Sequence, residues 1–218
     1  MNWKWLRRAP WLDTRSHFIA GVPPNGTLLD MGSSSGETLG HFYEMRPDLR
    51  YFATDLFGEP EKYPPGCQFH RGDIQRDRLP WPDASLDAIT CMQLVEHLND
   101  LHFLLAEAAR LLKPGGSLYI ETPHPKTLVY SSSWESPFTI NFYDEPTHTR
   151  PVPLGIMAQY VNQAGLQPVK GGTSRNWVFA ALWPFYFFCR PSRKKFTSMV
   201  HWRGWSVYLV SRRPAAGK

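Results

Sequence analysis

The sequence predicts an α/β protein built on a doubly wound, mostly parallel sheet. Three observations lead there. A short apolar run, Gly26–Met31, passes through the glycine-serine loop Gly32-Ser33-Ser34-Ser35-Gly36 into a helical pattern opening at Glu37, which is a strand–loop–helix junction. Short apolar runs and helical patterns then alternate as far as residue 122, as consecutive βα units do. Finally, Lys113-Pro114-Gly115-Gly116 stops an apolar-faced helix and hands over to another apolar run. A chain of 218 residues is long enough for one such domain with a sizeable core.

The N-terminal segment interleaves Trp3, Trp5, Arg7, Arg8 and Trp11, with a helix expected around Trp11–Ala20. It reads either as a cover lying on the core or as an interfacial anchor. Gly26–Met31 is strand 1. Glu37–Arg46 is a helix with Leu39, Phe42, Tyr43 and Met45, closed by Pro47. Arg50–Asp55 is strand 2, Cys67–Arg71 strand 3, and strand 4 ends at Cys91-Met92. Asp100–Lys113 is helical, with Asp100 as N-cap and Leu101, Leu104, Leu105, Ala108, Leu111 and Leu112 on one face. Ser117–Thr122 is strand 5.

Residues 123–153 differ in composition, being rich in Pro, Ser, Thr and aromatics, and they are long for a structureless connection. Such loops are usually lids or binding loops. This one contains His124, Tyr130, Trp134, Phe138, Phe142, Tyr143, Asp144, Glu145, His148 and Arg150. Leu154–Ala164 is a helix ended by Gly165, Leu166–Gly172 is strand 6, and Trp205–Ser211 is the last strand. Between them lies the apolar run Trp177–Cys189, divided by Pro184 and short enough to be absorbed by a strand and a helix. The expected organisation is a single domain over 1–218. Residues 1–25 form a helical cover, 26–122 a cofactor-binding half, 123–153 an acceptor lid and 154–218 a substrate-side half.

Composition narrows the setting. Cys67, Cys91 and Cys189 are odd in number and far apart, which favours a reducing, cytoplasmic location over a disulfide framework or a zinc site. Charged residues interrupt any leader-like run near the start, and no stretch reaches the ~18 apolar residues that span a bilayer. Charge is asymmetric. Glu145 is the last acid, so residues 146–218 hold eleven Lys/Arg and no Asp/Glu. That imbalance, with the run Trp177–Cys189 beside Arg190, Arg193, Lys194 and Lys195, leads us to expect an anionic, partly apolar partner such as a lipid-linked saccharide or a membrane surface.

The first loop argues against a dinucleotide. The G-x-G-x-x-G fingerprint needs a central glycine, and position 34 is Ser; Asp30, two residues before Gly32, would repel a pyrophosphate and suits a cationic or hydroxyl-rich ligand. Asp55 ends strand 2 nineteen residues beyond Gly36, where an acid accepts from both hydroxyls of a ribose. The pattern Asp30-x-Gly32-x-Ser34-x-Gly36 resembles motif I of the class I S-adenosylmethionine-dependent methyltransferases, written E/D-x-G-x-G-x-G. The stretches Pro82-Asp83-Ala84-Ser85-Leu86-Asp87, Gln93-Leu94-Val95-Glu96-His97-Leu98 and Arg110-Leu111-Leu112-Lys113-Pro114-Gly115-Gly116 also resemble that family, in its order. Asn141–Pro151 is similar to a segment of methyltransferases from bacterial surface-polysaccharide or secondary-metabolite gene clusters.

The resemblance implies a seven-stranded Rossmann-like sheet of order 3-2-1-4-5-7-6 with strand 7 antiparallel. It implies S-adenosyl-L-methionine as cofactor, held by Asp30, Gly32, Ser34, Gly36, Asp55, Leu56, Asp73, Ile74 and Gln93, with Asp73 and Ile74 on the adenine. Methyl transfer to a small-molecule or saccharide oxygen would draw on a base in the lid. His148 and His124 are the candidates, oriented by Asp144 or Glu145, and His97 is expected to be structural or cofactor-adjacent. No metal is expected, since the Asp144, Glu145, His148 spacing is not diagnostic. The alternatives are a non-catalytic S-adenosylmethionine-binding scaffold and a nucleic-acid methyltransferase; strand 4 runs into Cys91-Met92-Gln93-Leu94 and lacks the N/D-P-P-Y/F pattern of amino-methylating enzymes.

Overall fold

A computed structural model describes residues 3–132 and 139–215; Trp134 and Phe138 of the expected lid lie outside the described residues. Seven strands form one sheet: β1 (Thr27–Met31), β2 (Arg50–Asp55), β3 (Gln68–Arg71), β4 (Leu86–Met92), β5 (Leu112–Pro123), β6 (Gln167–Ser174) and β7 (Ser206–Arg212). Their order is β3-β2-β1-β4-β5-β7-β6, and β7 runs antiparallel to both neighbours. The helices are α1 (Thr14–Ala20), α2 (Glu37–Met45), α3 (His102–Leu111), α4 (Leu154–Gln163), α5 (Trp177–Phe187) and α6 (Arg193–Arg203).

Helices cover both faces of the central strands, so β1 is buried along its whole length and reads as an unbroken apolar run instead of an alternation. Successive residues still serve opposite faces. Leu29, Ile89 and Leu118 join Leu104, Leu111, Met157 and Val161 in one apolar cluster. Leu28, Ala88 and Tyr119 join Ile19, Leu39 and Phe42 in the other. Parallel pairing of Met31 with Thr54 of β2 and with Cys91 of β4 brings the carboxyl ends of three strands level. The strand order reverses between β1 and β4, which opens a crevice there.

Three boundaries differ from the sequence expectation. The Lys113–Gly116 segment belongs to β5 and does not cap the preceding helix, because Leu112 already pairs with Leu86 and a register shift follows. Gly115, at φ 82°, supplies its left-handed turn within the strand, while Lys113 Nζ donates to both oxygens of Asp87 at 2.8 Å. Asp100 accepts from the His102 amide, but the residue preceding the helix is Leu101. Most consequential, the apolar run is one helix, α5, with Pro184 inside it. Asn176 caps it by accepting from Phe179 N, and Phe179 stacks on His201 of α6; these contacts outweigh the backbone bond that the proline removes.

Candidate functional site

The loop after β1 takes its shape from three left-handed residues, Gly32 (φ 78°), Ser34 (φ 45°) and Gly36 (φ 74°). Gly36 has no substitute, since a Cβ there would stand 2.1 Å from the Tyr63 ring. Ser34 does occupy the position where the family pattern has glycine, and a side chain in this region costs on the order of 1 kcal/mol. The loop is held down against that strain. Ser34 N donates to Asp55 Oδ2 (2.8 Å), and the Tyr63 hydroxyl donates to Ser34 O (2.8 Å).

Asp55 therefore does double work. Its Oδ1 accepts from Phe57 N (2.7 Å) and its Oδ2 from Ser34 N, which leaves one lone-pair direction on each oxygen for a ribose diol. Leu56, the next residue, is exposed and offers an apolar face beside it. Asp73 anchors the turn after β3, accepting from Gln75 N and pairing with Arg76 at 3.0 Å, and Ile74 packs half-buried on the core. Asp30 lies almost fully buried at the end of β1, with Thr90 Oγ1 donating to it at 2.6 Å. Burial raises its carboxyl to about 7, against the opposing pull of Thr90 and Arg15. Gln93, at the end of β4, is a second strained residue (φ 51°), and its Oε1 is buried without a partner. A buried acid short of a cation, an orphaned amide oxygen, a diol-ready carboxylate and apolar Leu56 and Ile74 fit an ammonium- and sulfonium-bearing nucleoside.

On the other side of Gln93 the expected lid meets the turn after β4, where Thr149 N and Oγ1 donate to Glu96 O (2.8 and 2.9 Å). His148 Nδ1 donates to Phe142 O (2.6 Å), so its Nε2 carries the lone pair. His97 Nδ1 meets Thr147 Oγ1 (2.9 Å), which in turn donates to Glu145 Oε1 (2.9 Å); this chain fixes the same tautomer in His97. The two rings sit 4.8 Å apart. Beneath them is fully buried Glu96, whose Oε2 accepts from Thr122 while Oε1 has no partner. Burial lifts the Glu96 carboxyl to about 7 and pushes the His148 imidazole below its usual range, a drop that His97 reinforces. One donor atom each from Glu96, His97 and His148 lies within 4.8 Å of the others. One carboxylate and two imidazoles are a donor set that can hold a metal ion or pass protons.

The lid thus assigns its residues differently from the sequence expectation. Asp144 does not orient the histidine: it accepts from the hydroxyls of Ser132 and Thr139 and clamps the loop. The carboxylate that reaches a histidine is Glu145, through Thr147, and the histidine it reaches is His97. His124 is spent as a cap, its Nδ1 accepting from Lys126 N (3.1 Å) at the start of a 3-10 turn. Sequence reasoning also missed Tyr63 and the pair formed by Arg15 and Glu121. Arg15, from the N-terminal cover, donates two bonds to Glu121 on β5 (2.9 and 2.6 Å), and Tyr119 and Ser174 donate to the same carboxylate. No spacing rule links these residues; only Glu96 lay inside a stretch already singled out.

Residues 29–120 match the methyltransferase domain family. An S-adenosylmethionine-dependent methyltransferase of Mycolicibacterium smegmatis is 30% identical over 104 residues, covering 46% of this chain and 37% of its own. A ubiquinone/menaquinone biosynthesis C-methyltransferase of Desulfotalea psychrophila is 27% identical over 117 residues, covering 51% of this chain and 48% of its own. The chain therefore spans less than half the length of these curated relatives. Among solved structures, a chain from the Haloferax volcanii complex of the Trm112 methyltransferase activator with a methyltransferase superposes with a TM-score of 0.65. The match covers 97% of this chain and 93% of that one at 23% identity, a likeness of fold. The sheet order and the crevice define a Rossmann-like α/β protein of the methyltransferase type. Residues 29–120 thus match a methyltransferase domain, and a relative that this stretch resembles is named as a probable S-adenosylmethionine-dependent methyltransferase, an activity whose cofactor is S-adenosyl-L-methionine.

The ribose contact expected of Asp55 has a direct check. Asp55→Ala is expected to weaken S-adenosylmethionine binding by a few kcal/mol, the loss of two carboxylate hydrogen bonds. Titration calorimetry on the folded variant reads it, and unchanged affinity would remove Asp55 from the site.

Proposed function

We propose that this chain is an enzyme that transfers the S-methyl group of S-adenosylmethionine to a hydroxyl oxygen of a small-molecule or saccharide acceptor bound between the lid and the carboxyl ends of β4 and β5. The observation that carries this reading is the pair of Nδ1-tethered imidazoles, His97 and His148, above the buried Glu96. The cofactor supplies an already activated methyl on a sulfonium. The work left to the protein is alignment, exclusion of water and removal of one proton. With cofactor and acceptor bound, His148 Nε2 would take the acceptor's hydroxyl proton. His97 shares the developing charge, and the Glu145–Thr147 chain holds it in place. Because burial keeps His148 neutral, the base stays available below the pH at which an ordinary histidine protonates.

The relative whose name refers to ubiquinone/menaquinone biosynthesis is in keeping with a lipid-linked acceptor, and the acid-free C-terminal region is in keeping with an anionic one. The competing reading is an S-adenosylmethionine-binding scaffold without turnover. Labelled methyl transfer into chemically fractionated extracts identifies an acceptor class and separates the two. With that acceptor, His148→Ala is expected to lower turnover by about 10²–10⁴-fold while cofactor affinity stays within about twofold. The acid limb of the wild-type rate profile should fall below pH ~6.5. Equal turnover in the variant would leave His148 as a lid clamp only.

A further inference from the structure

Helix α5 is apolar around its whole circumference, yet Ala180 is its one buried residue. Trp177, Leu182, Phe185, Phe187 and Phe188 are exposed, Phe188 by 87%. A soluble helix normally turns such residues inward. Among the described residues, α5 packs extensively on α6 alone, with which it forms a hairpin inserted between β6 and β7. Among the described residues, no helix is long and apolar enough to cross a membrane.

The charges that the α5–α6 hairpin itself carries all have one sign. Exposed Arg190 lies between the helices, and Arg193 and Lys194 open the first turn of α6, which has no acid. Cations at the positive end of a helix are electrostatically misplaced, and the unpaired amides there favour an anion. The Arg193 guanidinium meets the exposed Glu37 at 3.4 Å. Lys195 is different: its Nζ caps the carbonyls of Phe187 and Cys189 and so holds the hairpin together.

The hairpin also lies at the functional end of the sheet. Ser174, which precedes it, pairs with Ser206, and Ser206 pairs with Pro123 at the carboxyl end of β5. Trp205 Nε1 donates to Ile140 O of the lid. The isolated bridge between Asp13 and Asn176 brings the N-terminal aromatic segment alongside, and Trp11 and Trp177 line one cavity of about 1000 Å³.

We propose that the α5–α6 hairpin docks this protein on an anionic bilayer surface, with the rings of α5 at headgroup depth and Arg190, Arg193 and Lys194 on lipid phosphates. Aromatic residues beside cations on a helix too short to span match that interface. A second copy of the chain fits worse, since a symmetric contact would oppose cation to cation. Docking in this pose puts the lid next to the headgroups, where a lipid-linked acceptor would be met. Binding to lipid does not depend on the proposed reaction, so the two can fail separately.

The test is sedimentation of the full chain with vesicles of phosphatidylcholine alone or mixed with phosphatidylglycerol, at low and high salt. The expected result is pelleting with the anionic vesicles at low salt, little with the neutral ones, and release by salt. Two double variants, Phe185→Ser with Phe188→Ser and Arg190→Ser with Lys194→Ser, should each lower the bound-to-free ratio on the order of tenfold. All four side chains are exposed, and circular dichroism verifies that the variants fold. Wild type remaining in the supernatant, or binding unchanged in both variants, would overturn the proposal. So would a self-association in sedimentation velocity that the phenylalanine variant abolishes, which would make the face a contact between copies.

Discussion

Replacing Arg15 with methionine is expected to lower stability by about 2–4 kcal/mol, somewhat less than the roughly 3–5 kcal/mol for breaking a fully buried ion pair. The Arg15 side chain is 36% exposed and that of Glu121 only 2%, so water partly reaches the carboxylate once the guanidinium is gone. The pH dependence gives the signature. In the wild type, Arg15 and the hydroxyls of Tyr119 and Ser174 overcome burial and hold the Glu121 carboxyl at about 2, below its unfolded value. Its contribution is therefore present above pH ~4.5 and is lost as pH falls toward 2. Without Arg15, burial dominates and the folded carboxyl moves above the unfolded value. Glu121 then costs stability as pH rises, which reverses its sign. Urea unfolding between pH 3 and 8 reads the difference; parallel curves for variant and wild type would mean that the pair carries no net stabilisation.

Asp30→Asn is expected to act in opposite directions on stability and on binding. Burial raises the folded carboxyl of Asp30 to about 7, above its unfolded value near 4. The folded state then holds a proton that the unfolded state has released, so stability falls as pH rises from about 4 through 7. Glu96 follows the same course for the same cause, burial. Asparagine has no charge to bury, so the variant should gain about 1–3 kcal/mol at pH 8 and nothing at pH 4. The gain is smaller than the full linkage value because the amide nitrogen must also find a partner in place of the Thr90 arrangement. At the same pH, S-adenosylmethionine should bind at least about tenfold more weakly, since its cationic groups lose their counter-charge. A variant that is more stable and binds equally well would show that Asp30 is kept for something other than the cofactor. That pair of outcomes would make the wild-type acid costly to the empty protein and useful to the loaded one, as strained site residues commonly are.

Much of the cofactor half was legible because its chemistry is local. Gly32, Gly36 and Asp55 are tied to strand ends by a few residues, and the left-handed turn after β1 can be read from the glycines that permit it. Even Ser34, the departure from the pattern, sits at the left-handed φ that the pattern implies. The alternation of short apolar runs with helices was enough to predict a doubly wound sheet. Where the local signals were ambiguous they misled. Pro114 and two glycines look like a helix stop, but the backbone partners of Leu112 are in β4, so the segment is strand. Pro184 looks like a break, but the Asn176 cap and the packing on α6 carry the helix through it.

The lid shows the same division at the level of function. Composition and position marked 123–153 as an acceptor loop, and His148 as a residue of interest within it. Which carboxylate serves which histidine was not readable. Asp144 and Glu145 are neighbours of the same chemistry, and only the path of the backbone turns one toward Ser132 and Thr139 and the other toward Thr147. By itself the sequence determined the local geometry that follows from glycine, proline and strand periodicity, and hence the fold. The pairing of His97 with His148, the closure of Arg15 on Glu121 and the exposed face of α5 were decided by tertiary structure alone. Each depends on how segments distant in the chain come together in space, and backbone propensity carries no record of what a side chain will meet there.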